Sequence, residues 1–395
     1  MCRAVAGSAL LALATGLAPA PARAQSAKLL IPLPQLELAA QRDSTDPLAH
    51  YDVALGYWMA KRWDDAERAL RRAVAIEPKT AAAWLALAYL PYARREKLWE
   101  EERKGKVPPE LQAAVAESDR NYRRAFLIDP LVDLKIYGLM LPPWYTVANT
   151  KRQADAYAEL TRGFVLFWDG RYDLAYDWFD RIVRLTGREK VLRDYPGFIW
   201  YHGIAAAHSG RYDAASADFH ALVEKYAAAE KTDSIQHFTQ LRANEYRYIL
   251  ATVLQSAGRQ DSAIALYQEA LANDLGLYAA HTQLANIHEE NHDWDRAVVE
   301  RQRALDTNPD DPSLALDLGS TLVYARRYQA ALAPLEQAQA ANPWNARIPY
   351  MLGMAQLRLG DAAAARPTLA RFVAIAPSRF QEQVADVRQQ LARLP

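Results

Sequence analysis

The chain has 395 residues, of which 51% are hydrophobic and 24% are charged, and its 47 basic and 47 acidic side chains leave no formal net charge. Such a balance offers no basic surface for a phosphate backbone, so the composition argues against a nucleic-acid partner. The only cysteine is Cys2, which excludes a framework of disulfides.

The first 24 residues have the order of a secretory signal peptide. Arg3 precedes an apolar stretch at 4–18, and two prolines lead to a small-residue cleavage site that ends at Ala24. The apolar stretch is shorter than the ~20 residues that a membrane-spanning helix needs. We expect residues 1–24 to be cleaved and the mature chain to be exported to the periplasm or cell envelope without membrane insertion. The alternative is an uncleaved N-terminal anchor.

A leader at residues 25–46 precedes the first helix-turn-helix pattern. This pattern begins at residue 47, places Trp63 and Ala66 near the start of its second helix, and ends at Pro78. Proline cannot continue a helix and so marks the turn into the next pattern. Residues 47–243 hold patterns of this kind with irregular lengths.

Three later turns share the sequence Gly-Arg-x-Asp, beginning at Gly170, Gly210 and Gly258. We expect the glycine to adopt the left-handed conformation and the aspartate to cap the helix that follows.

A small residue recurs in the second helix of every pattern. These residues are Ala66, Ser118, Ala175, Ala215, Ala263, Ala297, Ala331 and Ala365. Their spacing is irregular as far as Ala263 and is 34 residues after it. The excess over 34 predicts four insertions in the N-terminal half, at 94–117, at 131–155, between 175 and 215, and at 224–243.

The four insertions differ in character. We expect the first to be a helical extension broken at Pro108-Pro109 and the last to be a lengthened helix pair. The segment at 131–155 is apolar for a connection, since loops usually run over the surface. It is either a plug that fills a gap between neighbouring patterns or a lid over a groove.

Residues 244–377 keep the 34-residue period, with a proline closing successive patterns at Pro309, Pro343 and Pro377. A typical pattern has Leu318-Gly319 in its first helix and Ala331 in its second. This resembles the tetratricopeptide repeat, a helix-turn-helix unit of about 34 residues. The resemblance implies an all-α fold, a right-handed α-solenoid of about eight repeats, with residues 378–395 as a C-terminal capping helix. An antiparallel helical bundle is the alternative, although it has no reason to keep this register.

The resemblance also implies a function, because the first helices of such repeats line a groove that binds a protein or peptide. In the N-terminal half the corresponding positions are mostly aromatic. We predict a partner-binding stripe formed by Tyr51, Trp58, Tyr89, Tyr92, Tyr157, Phe164, Phe167, Trp168, Trp200 and Tyr248. In the sixth repeat the same positions are polar: Thr282, Asn286, Glu289 and Glu290.

Two other interpretations of the aromatic stripe stay open. The rings can be additional core, since aromatic stripes at helical spacing commonly are. They can also form a carbohydrate-stacking groove, although few polar side chains accompany them.

One short motif suggests an enzyme. Residues 288–292 read His-Glu-Glu-Asn-His, which matches the zinc-protease signature in which two histidines bind zinc and the glutamate is the general base. The match falls at the end of a repeat helix, and His292 stands where sister repeats have glycine. We therefore expect no enzyme and no cofactor. A zinc-dependent hydrolase using His288, Glu289 and His292 is the alternative.

Overall fold

The computed structural model describes residues 31–95, 97–132, 162–231 and 242–393. All regular secondary structure in these ranges is helical. The helices are α1 (Leu33–Arg42), α2 (Pro47–Met59), α3 (Trp63–Ile76), α4 (Ala81–Arg94), α5 (Leu98–Arg103), α6 (Gln112–Ile128), α7 (162–168), α8 (Tyr172–Thr186), α9 (Arg188–Asp194), α10 (Pro196–His208), α11 (Tyr212–Lys231), α12 (Ala243–Ser256), α13 (Gln260–Asn273), α14 (Tyr278–Glu290), α15 (Trp294–Thr307), α16 (Pro312–Tyr324), α17 (Tyr328–Ala341), α18 (Arg347–Arg358), α19 (Ala362–Ile375) and α20 (Gln381–Arg393).

The helices belong to two compact bodies. The central body holds residues 84–274, and the terminal body joins residues 31–83 to residues 275–395. Neighbouring helices pack as pairs, such as α2 with α3 and α16 with α17, and α17 also packs on α18 of the next pair, as in an α-solenoid. The fold is therefore all-α, and its helix pairs follow the predicted repeats.

The small residues of the second helices confirm the predicted register. All eight are at most 1% exposed, and seven of them are alanines. Ser118 is the exception in type, and its hydroxyl donates a hydrogen bond to the carbonyl oxygen of Ala88 on α4. That bond satisfies the polar group which replaces the alanine methyl.

Glycine in the first helix permits the same close crossing. A Cβ atom built on Gly353 would lie 2.5 Å from Cδ2 of Leu369, and one on Gly319 would overlap Leu335. The glycine therefore lets the paired helix pack against the backbone.

The turns between paired helices share a left-handed residue, but the aspartates predicted to cap the following helices do not cap them. Gly258 has a φ of 74°, and His292 adopts the same left-handed conformation with a φ of 57°. The helix after Gly258 begins two residues earlier than predicted, so Arg259 is its N-cap and makes no side-chain cap. Asp261 lies in the first turn instead, where its charge complements the helix dipole.

The structure describes all of the third predicted insertion and parts of the other three. In the first, α4 ends at Arg94, α5 spans six residues, and a 3-10 turn covers Pro109–Leu111. In the fourth, α11 extends over 20 residues. The short helix α9 lies in the third. The predicted signal peptide at 1–24 and the plug or lid at 131–155, apart from its first two residues, lie outside the described residues.

The C-terminal end has the predicted helix. Helix α20 packs on α19, and its side chain Val387 is 1% exposed beside Phe372 and Leu369. At the other end of the sequence, α1 packs on α2, so a helix lies within the segment predicted as a leader.

Candidate functional site

The aromatic side chains predicted to line a groove are buried. The exposed fractions are 3% for Trp58, 0% for Tyr89, 2% for Tyr92, 2% for Phe164, 1% for Phe167, 8% for Trp168, 5% for Trp200 and 0% for Tyr248. Tyr51 is half-buried, and Tyr157 lies outside the described residues. The expectation that these rings face an open groove is wrong for the eight buried ones.

Rings from neighbouring helices explain this burial. The Phe164 ring lies 5.1 Å from that of Trp168, 5.0 Å from Phe179 on α8 and 4.9 Å from Tyr201 on α10. Edge-on and tilted contacts at such distances are typical of aromatic core packing. The arrangement is the one that the core interpretation predicts, and binding of a partner or a sugar by this stripe stays a prediction.

The central body also buries an ionic cluster. His202 Nδ1 lies 2.5 Å from Asp218 Oδ2, and Arg188 Nη1 lies 2.6 Å from the other carboxylate oxygen. The side chain of Asp218 is 0% exposed and that of His202 is 3% exposed. A substrate has no access to this pair, so its contribution is to the packing of α10 on α11.

The zinc-protease motif does not form one continuous helix. Helix α14 ends at Glu290, and His292 follows in the left-handed turn. Glu289 is engaged by other groups: its Oε1 accepts from Arg301 Nη2 at 3.0 Å and from Thr321 Oγ1 at 2.5 Å. Across the described ranges no three side chains of His, Cys, Asp or Glu are grouped to hold a metal ion. The motif's glutamate therefore acts as an ion-pair partner in this fold.

These contacts belong to a polar cluster on α14 and α15 of the sixth repeat and on α16, the first helix of the seventh. We call it the Arg301 cluster, and its members are Lys79, Asn286, Glu289, Arg301, Asp317 and Thr321. Arg301 is 6% exposed. Besides Glu289, it donates to Asn286 Oδ1 at 2.7 Å, and its Nη1 lies 3.7 Å from Asp317 Oδ2. A buried guanidinium is thus surrounded by acceptors, as its desolvation requires.

Asp317 is the acidic centre of the cluster and is 5% exposed. Lys79 Nζ forms an ion pair with its Oδ2. Burial alone would raise the pKa of Asp317, but the charges of Lys79 and Arg301 outweigh burial and hold the pKa below its ordinary value. The carboxylate therefore stays ionised in the interior.

Lys79 reaches this site from the turn after α3, in the first repeat. Neighbouring residues of that turn also bind the later repeats within the terminal body. Asn342 Nδ2 donates to the carbonyl oxygen of Ile76 at 3.1 Å, and Asn345 Nδ2 donates to Glu77 Oε2 at 3.2 Å. The segment at 76–79 is therefore held by a main-chain contact, an acidic side chain and a basic side chain.

A group of three rings, His292, Trp294 and Tyr324, lies close in sequence to the Arg301 cluster, and the Tyr324 ring is exposed. Tyr324, at the end of α16, is 61% exposed, and its ring centroid lies 6.4 Å from that of Trp294. His292 adds a third ring at 5.9 Å from Trp294. The sequence prediction assigned the aromatic rings to the N-terminal half and missed this group, although Tyr324 occupies the first-helix position that Glu290 has in the preceding repeat.

These features define a class of protein. Helix pairs cross at small residues and turn through a left-handed residue, and most aromatic rings of the N-terminal repeats are buried between neighbouring helices. That is the construction of a helical-repeat protein.

Comparison with known families identifies the repeats. A tetratricopeptide repeat model matches residues 202–278, 250–312 and 316–380, and a second such model matches residues 47–90. Together these matches span more than half of the chain, which belongs to the tetratricopeptide repeat family. Members of this family are in general non-catalytic scaffolds for protein–protein interaction.

Solved structures resemble the fold at low identity. The C-terminal part of a TPR repeat-containing protein from Cytophaga hutchinsonii is 15% identical, with 59% of this chain and 86% of that chain covered and a TM-score of 0.47. MamA from strain AMB-1 is 19% identical (45% and 89% covered, TM-score 0.35). A thermophilic TPR protein from Thermus thermophilus is 22% identical (48% and 93% covered, TM-score 0.29). No curated protein matches the chain.

Among the helices of the described ranges, none combines the length and the apolar character that crossing a bilayer requires.

Proposed function

We propose that the chain is an exported scaffold of the periplasm or cell envelope, and that it binds a protein partner through its repeats. The family supports the binding role, and the order of residues 1–24 supports export. We place the contact surface in the C-terminal repeats, because the predicted N-terminal rings have almost no exposed surface.

One observation carries this proposal. The surface formed by α16 and the turn at 342–345 binds a short peptide segment, residues 76–79, through side chains that contact its main chain and both of its charged groups. A repeat surface that holds one segment in this way has the hydrogen-bonding groups needed to hold a segment of another protein. Tyr324 supplies an exposed ring of the type that dominates binding hot spots.

The partner is tested by capture followed by direct binding. Mature wild-type chain and its Tyr324→Ala variant are cross-linked in envelope extract, and each enriched protein is then purified and titrated with both chains. We expect one envelope protein to bind the wild type in the titration and to bind Tyr324→Ala at least about tenfold more weakly, as loss of a hot-spot ring does. No protein passing the direct titration would contradict the proposal.

Export is tested separately. A reporter that is active only outside the cytoplasm is fused after the full chain and after a chain lacking residues 1–24. We expect activity from the first fusion alone. Equal activity of the two fusions would show that residues 1–24 are not an export signal.

A further inference from the structure

The segment at 76–79 and the surface that binds it differ in burial. Asp317, which receives the lysine, is 5% exposed and lies on a helix in which every residue from Ser313 to Leu322 is buried. The Lys79 side chain is 35% exposed and comes from a turn. The carboxylate of Asp317 is therefore part of the packed repeats, whereas the ammonium group that pairs with it belongs to the partly exposed side chain of Lys79.

A second observation on the same helix points to a ligand. Ser320 lies one turn after Asp317, on the same side of α16, and it is 7% exposed. Its hydroxyl has no hydrogen-bond partner among the described residues. A buried hydroxyl without a partner costs free energy, so the surface has bonding capacity beside Asp317 that residues 76–79 do not use.

The contacts also specify a sequence. Asn342 binds a main-chain carbonyl, Asn345 binds the carboxylate of the next residue, and Asp317 binds an ammonium group two residues further on. Arg72 adds a contact with its guanidinium 4.6 Å from the ring centroid of Trp344. A peptide that matches this arrangement has an acidic residue followed at the second position by lysine.

We propose that this surface is a receptor for a peptide segment of the form acidic-x-Lys in a partner protein, and that residues 76–79 occupy it as an internal competitor. The inference rests on the proposed function, since it names the chemistry of the partner segment and the control of its access. Binding of a partner requires release of the internal segment. The apparent affinity is reduced by the fraction of molecules in which that segment is bound.

The test uses a fluorescent peptide with the sequence of residues 75–82, Ala-Ile-Glu-Pro-Lys-Thr-Ala-Ala. Its anisotropy is measured with five mature chains: wild type, Lys79→Ala, Lys79→Arg, Lys79→Ala combined with Asp317→Asn, and Lys106→Ala. Lys106 is an exposed lysine in the central body and serves as the matched control.

We expect Lys79→Ala to bind this peptide at least about tenfold more tightly than wild type and Lys106→Ala, because the competitor is weakened. Adding Asp317→Asn should abolish the gain, and a peptide with glutamate in place of its lysine should not bind. A Lys79→Arg chain retains the cation and should behave as wild type. Equal binding by all chains, or no binding by Lys79→Ala, would overturn the inference.

A folding control and a titration with the captured partner complete the test. Circular dichroism shows whether Lys79→Ala is folded, and if it is not, Lys79→Met replaces it because Met retains the apolar stem. The peptide titration needs no natural partner, so its failure is separate from that of the proposed function. A captured partner that binds wild type and Asp317→Asn equally would leave the scaffold role intact and overturn this inference.

Discussion

The guanidinium of Arg301 and the carboxylate of Glu289 form an ion pair at 3.0 Å between α15 and α14. The pair engages the one glutamate that a zinc-protease mechanism would need as its base. It also joins two helices of the same repeat, between which His281 Nδ1 lies 2.6 Å from Glu300 Oε2 as a second charged contact.

Arg301→Met should destabilise the protein by about 3–5 kcal/mol, because it removes the buried counter-charge of Glu289 and leaves Asp317 with Lys79 alone. Urea unfolding of the mature chain measures the change. Arg296→Ala is the control: Arg296 lies on the same helix with a side chain 74% exposed and pairs with Asp293 at 3.4 Å. It should cost less than about 1 kcal/mol, and equal losses would contradict the buried role of Arg301.

Stability should fall in acid because of Asp317. Its pKa is lower in the folded state than its ordinary value, so the folded carboxylate binds a proton less readily than the unfolded one. The contribution is therefore fully present above the ordinary carboxyl range and is lost as the pH falls below about 4 toward the folded pKa. Urea unfolding between pH 3 and 6 should give a shallower acid limb for Asp317→Asn. Parallel limbs for the two chains would assign the acid sensitivity to other groups.

The helix crossing at Ala331 should not accept a larger side chain. Ala331 is 0% exposed, so Ala331→Leu should cost about 1–3 kcal/mol by overpacking. Ala333 lies on the same helix and is less buried, and Ala333→Leu should change the free energy of unfolding by less than about 0.5 kcal/mol. If the two variants unfold alike, the register of α17 on α16 is wrong.

Trp168 and Tyr324 should behave in opposite ways. Trp168 is 8% exposed and stacks on Phe164, so Trp168→Ala should cost about 3–5 kcal/mol of stability. Tyr324→Ala should leave thermal unfolding nearly unchanged and reduce partner binding. A Trp168→Ala chain of normal stability that no longer binds the partner would restore the original prediction of an aromatic binding stripe.

The repeats could be predicted from the sequence because their signals are local. Ala331 and Ala365 lie 34 residues apart, and the close packing that selects alanine at both is repeated in each helix pair. Ser118 shows how tolerant the rule is: a different residue type fits when a neighbouring carbonyl accepts its hydroxyl.

The candidate site was only half predictable. Asn286 and Glu289 stood at groove positions in the sequence pattern and do belong to the cluster. Lys79 did not, because it bonds a residue 238 positions away and nothing in a periodic pattern relates the two. The prediction for Phe164 is wrong for a similar reason. The rings that bury it come from α8 of its own repeat and α10 of the next repeat. Helical periodicity shows which side of a helix is apolar, but it does not show whether that side faces another helix or solvent.

Because the terminal body is built from two distant parts of the sequence, it constrains the order in which the chain can fold during synthesis. Asn342 donates to the carbonyl of Ile76 across 266 residues of chain, and Ser378 donates to the carboxylate of Asp43 across 335 residues. A repeat can form its own helix pair as soon as it is synthesised, but the first repeat cannot make these bonds until residues 342 and 378 have been synthesised. Contacts between such distant positions slow folding. The first repeat is thus among the last parts of the terminal body to be completed.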